Sequence, residues 1–339
     1  MNAPKASPTR RVRPVRRRRS RVLTGLVVVV LIVIAIAVVE IVALGWNTSD
    51  SSKKAGPAAI VSVGTPIDPA FFASGACLAF APSAGDRHQT VFLDAGHGGI
   101  DPGGVGTTAD GQTIHEADET LPVELDAMAL LRAKGYRVVV SRAKASTVLR
   151  LGPADTDAGV LSVLGAHDDV AARDVCANDA RANILVGIYF DAGGSSQNAG
   201  SITAYDADRP FSAANIKLAG LLQADVLADM DAQGWDIPND GTGPDTSLGS
   251  IAGNPADGGL AAAAAAYDHL LLIGPAAAGY FSNPSEMPGA VIEPLYITDP
   301  FEGSIANGAH GQTIIAQGIA TAVEQYFGAA SEKLPGSPA

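Results

Sequence analysis

The stretch from residue 91 to 103 constrains the fold most, because it ends an apolar run on a histidine set among glycines. Residues 91–93 have the β-branched and apolar character of a buried strand. The glycines beside His97 allow a sharp turn at positive φ and leave the imidazole uncrowded, and Pro102-Gly103 closes the turn. A loop of this kind at the end of a strand is typical of a functional site in an α/β protein.

Strand-like and helix-like segments alternate from residue 89 onward, which predicts an α/β fold with a mixed sheet flanked by helices. Pro122 fits only the first turn of a helix, so the first helix should begin near residues 118–121, just after Glu116. The Gly- and Asp-rich stretch Trp235–Leu260 predicts a long loop. Strands are predicted at Thr90–Leu93, Arg137–Ser141, Ile184–Phe190 and Ala290–Ile292, and further helices at residues 171–181, 213–230 and 312–327.

The first 46 residues have the composition of a membrane anchor. Residues 1–21 contain Lys5 and eight arginines, and residues 22–46 form an apolar run longer than the roughly 20 residues of a transmembrane helix. The arginines favour a cytoplasmic N-terminus, so we expect a single-pass protein of the cytoplasmic membrane with the rest of its chain outside. A cleaved signal peptide is the alternative, although its apolar core usually spans only about 7–15 residues.

Composition divides the rest of the chain into three parts. Residues 47–88 predict a tether and a partly ordered lead-in, residues 89–328 one extracytoplasmic domain, and residues 329–339 a flexible tail. The net charge is −12, but residues 1–21 contribute nine positive charges, so the remainder carries −21. Such an acidic domain argues against nucleic acid as a partner.

The two cysteines of the chain, Cys77 and Cys176, both lie in the part that we expect outside the membrane. Disulfides persist in such an environment, so we predict that the two cysteines pair and fasten the apolar stretch 71–80 to the domain. Two buried free thiols are the alternative, because a sequence does not show whether the Cα atoms approach.

Several common functions lose their support because their motifs are missing. The sequence contains no GxxxxGK[ST] phosphate loop, no GxSxG elbow and no CxxC pair. Among the other polar residues, Asp94 and Asp101 are interpreted as turn-forming. The run His167-Asp168-Asp169 is interpreted as the cap at the start of a helix.

Four elements follow one another in an order that is specific to one family. They are the loop Leu93–Gly99; Glu116 with a helix ending at Ala133-Lys134-Gly135-Tyr136 and a strand ending at Ser141-Arg142; Arg173 with Ala177-Asn178; and the strand Ala290–Glu293. In this order they resemble the zinc-dependent N-acetylmuramoyl-L-alanine amidases of the Amidase_3 type. The resemblance covers about residues 89–328.

The resemblance implies a peptidoglycan hydrolase that cleaves the amide between N-acetylmuramic acid and the L-alanine of the stem peptide. It also implies that His97 and Glu116 are zinc ligands and that Glu293 is the catalytic glutamate. In such a site zinc polarises the amide carbonyl and acidifies water, and the glutamate moves the proton to the leaving amine.

The third zinc ligand is where this chain departs from the family. The family strand reads Ser-Ile-His-Ala-Asn, whereas this chain has Gly187-Ile188-Tyr189-Phe190-Asp191, so Tyr189 replaces the histidine. A phenol must ionise to bind zinc, and its reference pKa is about 10. If the strand continues, Asp191 presents a carboxylate on the same face as Tyr189. The third ligand is therefore either Asp191 or Tyr189.

Two functions follow from this departure. The first is a membrane-anchored N-acetylmuramoyl-L-alanine amidase, with peptidoglycan as its substrate and the membrane bound through the N-terminal helix. The second is a catalytically degenerate amidase-like domain that serves as a wall-binding or regulatory module. Metal content separates the two.

Overall fold

The computed structural model describes residues 64–246 and 259–331. The predicted basic tail and the transmembrane segment 22–46 therefore lie outside the described residues, as do residues 47–63 and 332–339. Within the described ranges, no helix is both long enough and apolar enough to span a bilayer.

A mixed sheet of eight strands lies at the centre of the described residues, in the order β1-β2-β6-β3-β9-β12-β10-β11. Two small hairpins, β4–β5 and β7–β8, lie outside it. In chain order the strands are β1 (Thr65–Pro66), β2 (Ala76–Phe80), β3 (Thr90–Ala95), β4 (Val105–Thr107), β5 (Thr113–His115), β6 (Arg137–Arg142), β7 (Thr156–Asp157), β8 (Val160–Leu161), β9 (Ile184–Ile188), β10 (Ser201–Tyr205), β11 (Asn239–Pro244) and β12 (Gly289–Glu293).

Helices cover both faces of this sheet. They are α1 (Glu116–Ala133), α2 (Val163–Asp179), α3 (Ser212–Asp231), α4 (Gly259–Ala266), α5 (Pro300–Ala306) and α6 (Ala309–Ser331). One apolar core joins α1, α3 and α6 to the sheet, and a second core joins α2 to the opposite face. Val91 and Leu93 point into the first core and Phe92 into the second, because successive side chains of a strand alternate between faces. The expected α/β class is confirmed.

Strand direction decides where polar side chains gather. Strands β3, β9 and β12 are parallel, so their carboxyl ends meet at one edge of the sheet, where the loop after Ala95, Tyr189 and Glu293 lie close together. Strand β10 is antiparallel to β12, with Ile202 opposite Glu293, and β11 runs parallel to β10. The carboxyl ends of β10 and β11 therefore lie at the opposite edge.

The predicted disulfide is present. Cys77 of β2 and Cys176 of α2 are bonded, with their Cα atoms 5.7 Å apart, and both are fully buried. The bond ties the strand pair β1–β2 to the helix that covers this face of the sheet. The lead-in 71–80 thus packs on the domain, with Phe72 in the same apolar core as the disulfide.

Three local expectations are wrong. Helix α1 begins at Glu116 and not at residues 118–121, because the carbonyls of Gly104 and Pro102 accept the N–H groups of Glu116 and Ala117; Pro122 therefore lies inside the helix. Helix α2 begins at Val163, and its cap is Ser162, whose hydroxyl accepts from the N–H of Gly165, rather than the run His167-Asp168-Asp169. The predicted loop Trp235–Leu260 contains strand β11, which pairs with β10.

Candidate active site

The loop after β3 turns back on itself within a few residues. His97 has a φ of 58°, and Gly98 and Gly99 follow at 129° and 65°. Gly98 and Asp101 exchange two backbone hydrogen bonds across the turn. A Cβ on Gly98 would lie 2.4 Å from the carbonyl oxygen of Ser146, so only glycine fits there. The turn holds the imidazole at the sheet edge.

Two carboxylates hold the imidazole of His97. Its Nδ1 lies 2.8 Å from Oδ2 of Asp101, and its Nε2 lies 3.2 Å from Oε2 of Glu116. Burial alone would lower the pKa of His97, but these two carboxylates raise it to about 10. Asp101 also accepts the N–H of Gly103, so it shapes the turn as expected and orients the histidine as well. The sequence signal for this second role is the spacing of four residues from His97.

Glu116 is held at both of its oxygens. It is the first residue of α1 and is buried, with Oε1 accepting from the N–H of Phe190 at 3.0 Å and Oε2 from the N–H of Gly104 at 2.8 Å. Both donors are backbone groups, so the carboxylate position is fixed by the fold. It faces the imidazole of His97.

Asp191 and Glu293 meet at the same edge. Asp191 follows β9 and bonds through its backbone to Leu295 and Ile297, while Glu293 ends β12. The two carboxyl groups lie close enough to influence each other's pKa. Burial, followed by the charges of Asp191 and Glu116, raises the pKa of Glu293 to about 8; burial also raises the pKa of Asp191.

Tyr189 lies beside the site but its hydroxyl is directed elsewhere. The ring packs edge-on against His97, with centroids 5.5 Å apart, and the hydroxyl donates to Oδ2 of Asp94 at 3.1 Å. Gly96 makes room for the ring, since a Cβ there would lie 2.4 Å from it. Burial and the nearby Asp94 raise the pKa of the Tyr189 phenol well above its ordinary value. Strand β9 ends at Ile188, but Tyr189 and Asp191 continue its backbone pairing, since their N–H groups donate to the carbonyls of Ile292 and Leu295.

Asp94 is a buried member of β3 and not a turn residue, which corrects the sequence interpretation. Arg173 donates to Oδ1 of Asp94 at 2.5 Å and to Oδ2 of Asp169 at 2.9 Å. The same guanidinium bonds to the carbonyls of Ala95 and His97. Arg173 therefore holds the backbone of the active-site loop through the carbonyls of Ala95 and His97.

Among the described residues, Glu116, Asp191 and Glu293 have no guanidinium partner like the one that Asp94 has in Arg173. Among residues 64–246 and 259–331, no lysine or arginine forms an ion pair with Glu116, Asp191 or Glu293. The imidazole of His97, whose pKa the two neighbouring carboxylates raise, is the basic side chain that contacts this group. An imidazole nitrogen and carboxylate oxygens are ligand types that Zn²⁺ accepts, but the ligand atoms of His97, Glu116 and Asp191 do not all lie within 4.8 Å of one another in this structure.

A second cluster of histidine and carboxylates lies away from this edge. The structure brings together Asp206, Asp245 and His269, whose ligand atoms all lie within 4.8 Å of one another. No motif in the sequence marks these residues, because they are far apart along the chain. The weak signal is that each aspartate directly follows a strand, β10 or β11.

An imidazole and neighbouring carboxyl groups at the end of parallel strands provide the acid–base side chains that many hydrolases use. The chain belongs to the Amidase_3 family, N-acetylmuramoyl-L-alanine amidase, whose model matches residues 91–325. Members of this family are peptidoglycan hydrolases, so the function expected from the sequence is confirmed at the level of the family.

Solved amidase structures are similar in fold. The CwlD amidase from Clostridioides difficile, solved in complex with the GerS lipoprotein, has a TM-score of 0.51 and 20% identity, over 71% of this chain and 99% of that chain. The amidase AmiC2 of Nostoc punctiforme has a TM-score of 0.48 and 20% identity, over 72% and 99%. Ami1 from Mycobacterium smegmatis has a TM-score of 0.46 and 17% identity, over 73% and 100%. No curated protein sequence matches the chain.

Proposed function

We propose that this protein cleaves the amide between N-acetylmuramic acid and L-alanine in peptidoglycan, with a zinc ion held by His97, Glu116 and Asp191. The observation that carries the proposal is the contact of His97 with Glu116 at 3.2 Å, at the sheet edge where Asp191 and Glu293 also lie and without a lysine or arginine ion-pair partner among the described residues. A bound zinc ion would polarise the amide carbonyl and acidify a water molecule.

The contacts favour Asp191 over Tyr189 as the third ligand. The hydroxyl of Tyr189 is engaged by Asp94, and ionising it would place a second negative charge beside that carboxylate. The carboxyl group of Asp191 already interacts with Glu116 and Glu293. A carboxylate needs no unusual ionisation to bind zinc.

Glu293 is the proton carrier in this proposal. Its carboxylate takes a proton from the attacking water and returns it to the nitrogen of the leaving L-alanine. A pKa raised to about 8 by burial and by the neighbouring acids suits a group that must gain and lose a proton near neutral pH. Asp101 keeps the imidazole oriented throughout, through its contact with Nδ1.

The site of action follows from the N-terminal sequence. Residues 1–21 are arginine-rich and residues 22–46 are apolar, which supports a domain anchored at the outer face of the cytoplasmic membrane. Protease added to intact spheroplasts should then remove the domain. A domain that stays protected would contradict this topology.

The experiment that tests the reaction uses the purified full chain in detergent with peptidoglycan sacculi, and measures the release of stem peptides with a free L-alanine amine. Chelation should abolish release and Zn²⁺ should restore it. Asp191→Asn should lose the zinc-restored activity, whereas the matched variant Tyr189→Phe should keep it.

Two outcomes would contradict the proposal. Loss of activity in Tyr189→Phe but not in Asp191→Asn would identify the phenolate as the ligand. A wild-type protein that releases no peptide, together with a Tyr189→His variant that does, would identify the natural protein as a wall-binding or regulatory module.

A further inference from the structure

The Asp206, Asp245 and His269 cluster lies at the edge of the sheet opposite the candidate active site. Asp206 directly follows β10 and Asp245 directly follows β11, and these two strands are parallel neighbours. Ile202 of β10 stands opposite Glu293. Asp206 is four residues farther along, so it lies roughly 13 Å from that point at the usual rise of a strand. The cluster is therefore separate from the amidase site.

The geometry of the cluster matches the spacing of metal ligands. Nδ1 of His269 lies 3.1 Å from Oδ2 of Asp206 and 3.3 Å from Oδ1 of Asp245. Ligand atoms about 2.0–2.2 Å from a tetrahedral zinc ion lie about 3.4 Å apart. The two separations from His269 thus already match those that a shared cation would impose, and all three ligand atoms lie within 4.8 Å of one another.

One buried oxygen in the cluster lacks a hydrogen-bond donor. The hydrogen-bond geometry of His269 Nδ1 is met by Asp245, and one nitrogen carries only one proton. Asp206 is fully buried, and its Oδ2 has no hydrogen-bond partner among the described residues although it faces that nitrogen. An unpaired buried carboxylate oxygen is costly, so this atom marks a place for a cation.

The other hydrogen bonds hold the two carboxylates in place and leave Oδ2 of Asp206 and Oδ1 of Asp245 facing His269. Oδ1 of Asp206 accepts the N–H groups of Asp208 and Arg209, and Oδ2 of Asp245 accepts the N–H of Leu270. The guanidinium of Arg209 is directed to the carbonyls of residues 273, 274 and 285 rather than to the two carboxylates.

The second nitrogen of His269 faces a further carboxylate. Oδ2 of the exposed Asp208 lies 3.8 Å from Nε2. Metal-bound histidines commonly direct their other ring N–H toward a carboxylate, which fixes the tautomer and makes the ligand nitrogen more basic. Asp208 is placed for this role, and it also adds negative charge at the open side of the cluster.

We infer that Asp206, Asp245 and His269 form a second binding site, for a divalent transition-metal cation such as Zn²⁺, that is structural rather than catalytic. The cation neutralises two buried carboxylates and joins the ends of β10 and β11 to the segment that follows α4. That segment carries Tyr267, Leu271 and Phe281, which form a small apolar cluster of their own. The site fastens this segment to the sheet edge.

The test measures zinc per chain, by equilibrium dialysis and elemental analysis, on the tag-free full chain in detergent. His269→Gln and Asp245→Asn should each remove about one bound zinc, in the wild type and in the His97→Ala background. The control Asp157→Asn, at an exposed position in the β7–β8 hairpin, should remove none. The zinc lost in His97→Ala alone belongs to the amidase site. The result for one site therefore does not depend on the result for the other.

A second measurement covers the case in which the cluster variants do not fold. Zn²⁺ should raise the thermal midpoint of the His97→Ala protein, because a ligand that binds the native state stabilises it. No rise in that midpoint, or an unchanged zinc content in folded His269→Gln and Asp245→Asn, would overturn the inference.

Discussion

Two groups of buried acids lie on either side of the loop that carries His97, and they are balanced in different ways. Asp94 and Asp169 share the guanidinium of Arg173, with both contacts at hydrogen-bond distance. In the second group, Glu116 contacts His97 at 3.2 Å, and Asp191 and Glu293 lie at the same sheet edge with no lysine or arginine ion-pair partner among the described residues.

The difference separates support from chemistry. A buried acid with a fixed guanidinium partner is held by charge-assisted hydrogen bonds and keeps the backbone around it in place. In the second group, burial and the neighbouring acids raise the pKa of Glu293 and Asp191, as is common at sites of proton transfer. Substitutions in the first group should therefore change stability, and those in the second should change turnover.

The largest expected effect is on turnover. Glu293→Gln should lower the rate of stem-peptide release by about 10²- to 10⁴-fold, because an amide does not accept the proton from water. The thermal midpoint should stay close to that of the wild type. A Glu293→Gln protein that is less stable but keeps its rate per folded molecule would contradict the assignment of Glu293 to the acids that affect turnover.

The next effect is on stability. Arg173→Met should lower the free energy of unfolding by about 3–5 kcal/mol, because it leaves Asp94 and Asp169 buried without their partner. Urea denaturation measures this loss. The control is Arg181→Met, at an exposed position, which should change the free energy of unfolding little. Equal effects of the two variants would contradict a supporting role for Arg173.

A pH-dependent effect should be smaller. Glu124 of α1 is fully buried, and burial raises its pKa to about 8. Because the folded pKa lies above the unfolded pKa of about 4.3, the stabilisation is complete below that value and is lost as the pH rises through 8. Glu124→Gln keeps an acceptor for the N–H groups of Ala95 and Ser141 and has no charge to bury.

The measurement for Glu124 is urea denaturation at two pH values. The stability of the variant relative to the wild type should rise by up to about 4 kcal/mol between pH 5 and pH 9, the limit set by a pKa of about 4.3 in the unfolded chain and about 8 in the folded one. A difference that is the same at both pH values would show that Glu124 does not titrate in this range.

The smallest effect belongs to Tyr189. Tyr189→Phe should lower the free energy of unfolding by about 1 kcal/mol, since it removes the hydrogen bond to Asp94 and leaves the ring in place. Such a result would place Tyr189 with Asp94 and Arg173, which hold the loop. A variant with unchanged stability and lost turnover would instead place Tyr189 among the residues that take part in the reaction.

The sequence predicts the central strands because their apolar runs are continuous. Strands β3, β6, β9 and β12 are buried by helices on both faces and lie where predicted. Strand β11 escapes prediction because its residues, Asn-Asp-Gly-Thr-Gly-Pro, include no large apolar side chain. It is a strand because it pairs with β10, and local composition does not predict which segments pair.

The candidate site is predictable where a side chain belongs to a local motif. His97, Glu116 and Glu293 follow from short elements in a fixed order, and they meet at one sheet edge. Whether Tyr189 or Asp191 is the third ligand stays a prediction, and the sequence does not show that the Tyr189 hydroxyl reaches the carboxylate of Asp94, which lies 95 residues away along the chain. Asp206, Asp245 and His269 are likewise joined only by the fold.

The close approach of Tyr189 to Gly96 has a consequence for a smaller ring at position 189. A histidine there would be too short to reach Asp94, and would leave the space above Gly96 unfilled. Tyr189→His should therefore lower the stability of the domain whatever it does to metal binding, so its turnover is to be compared per folded molecule.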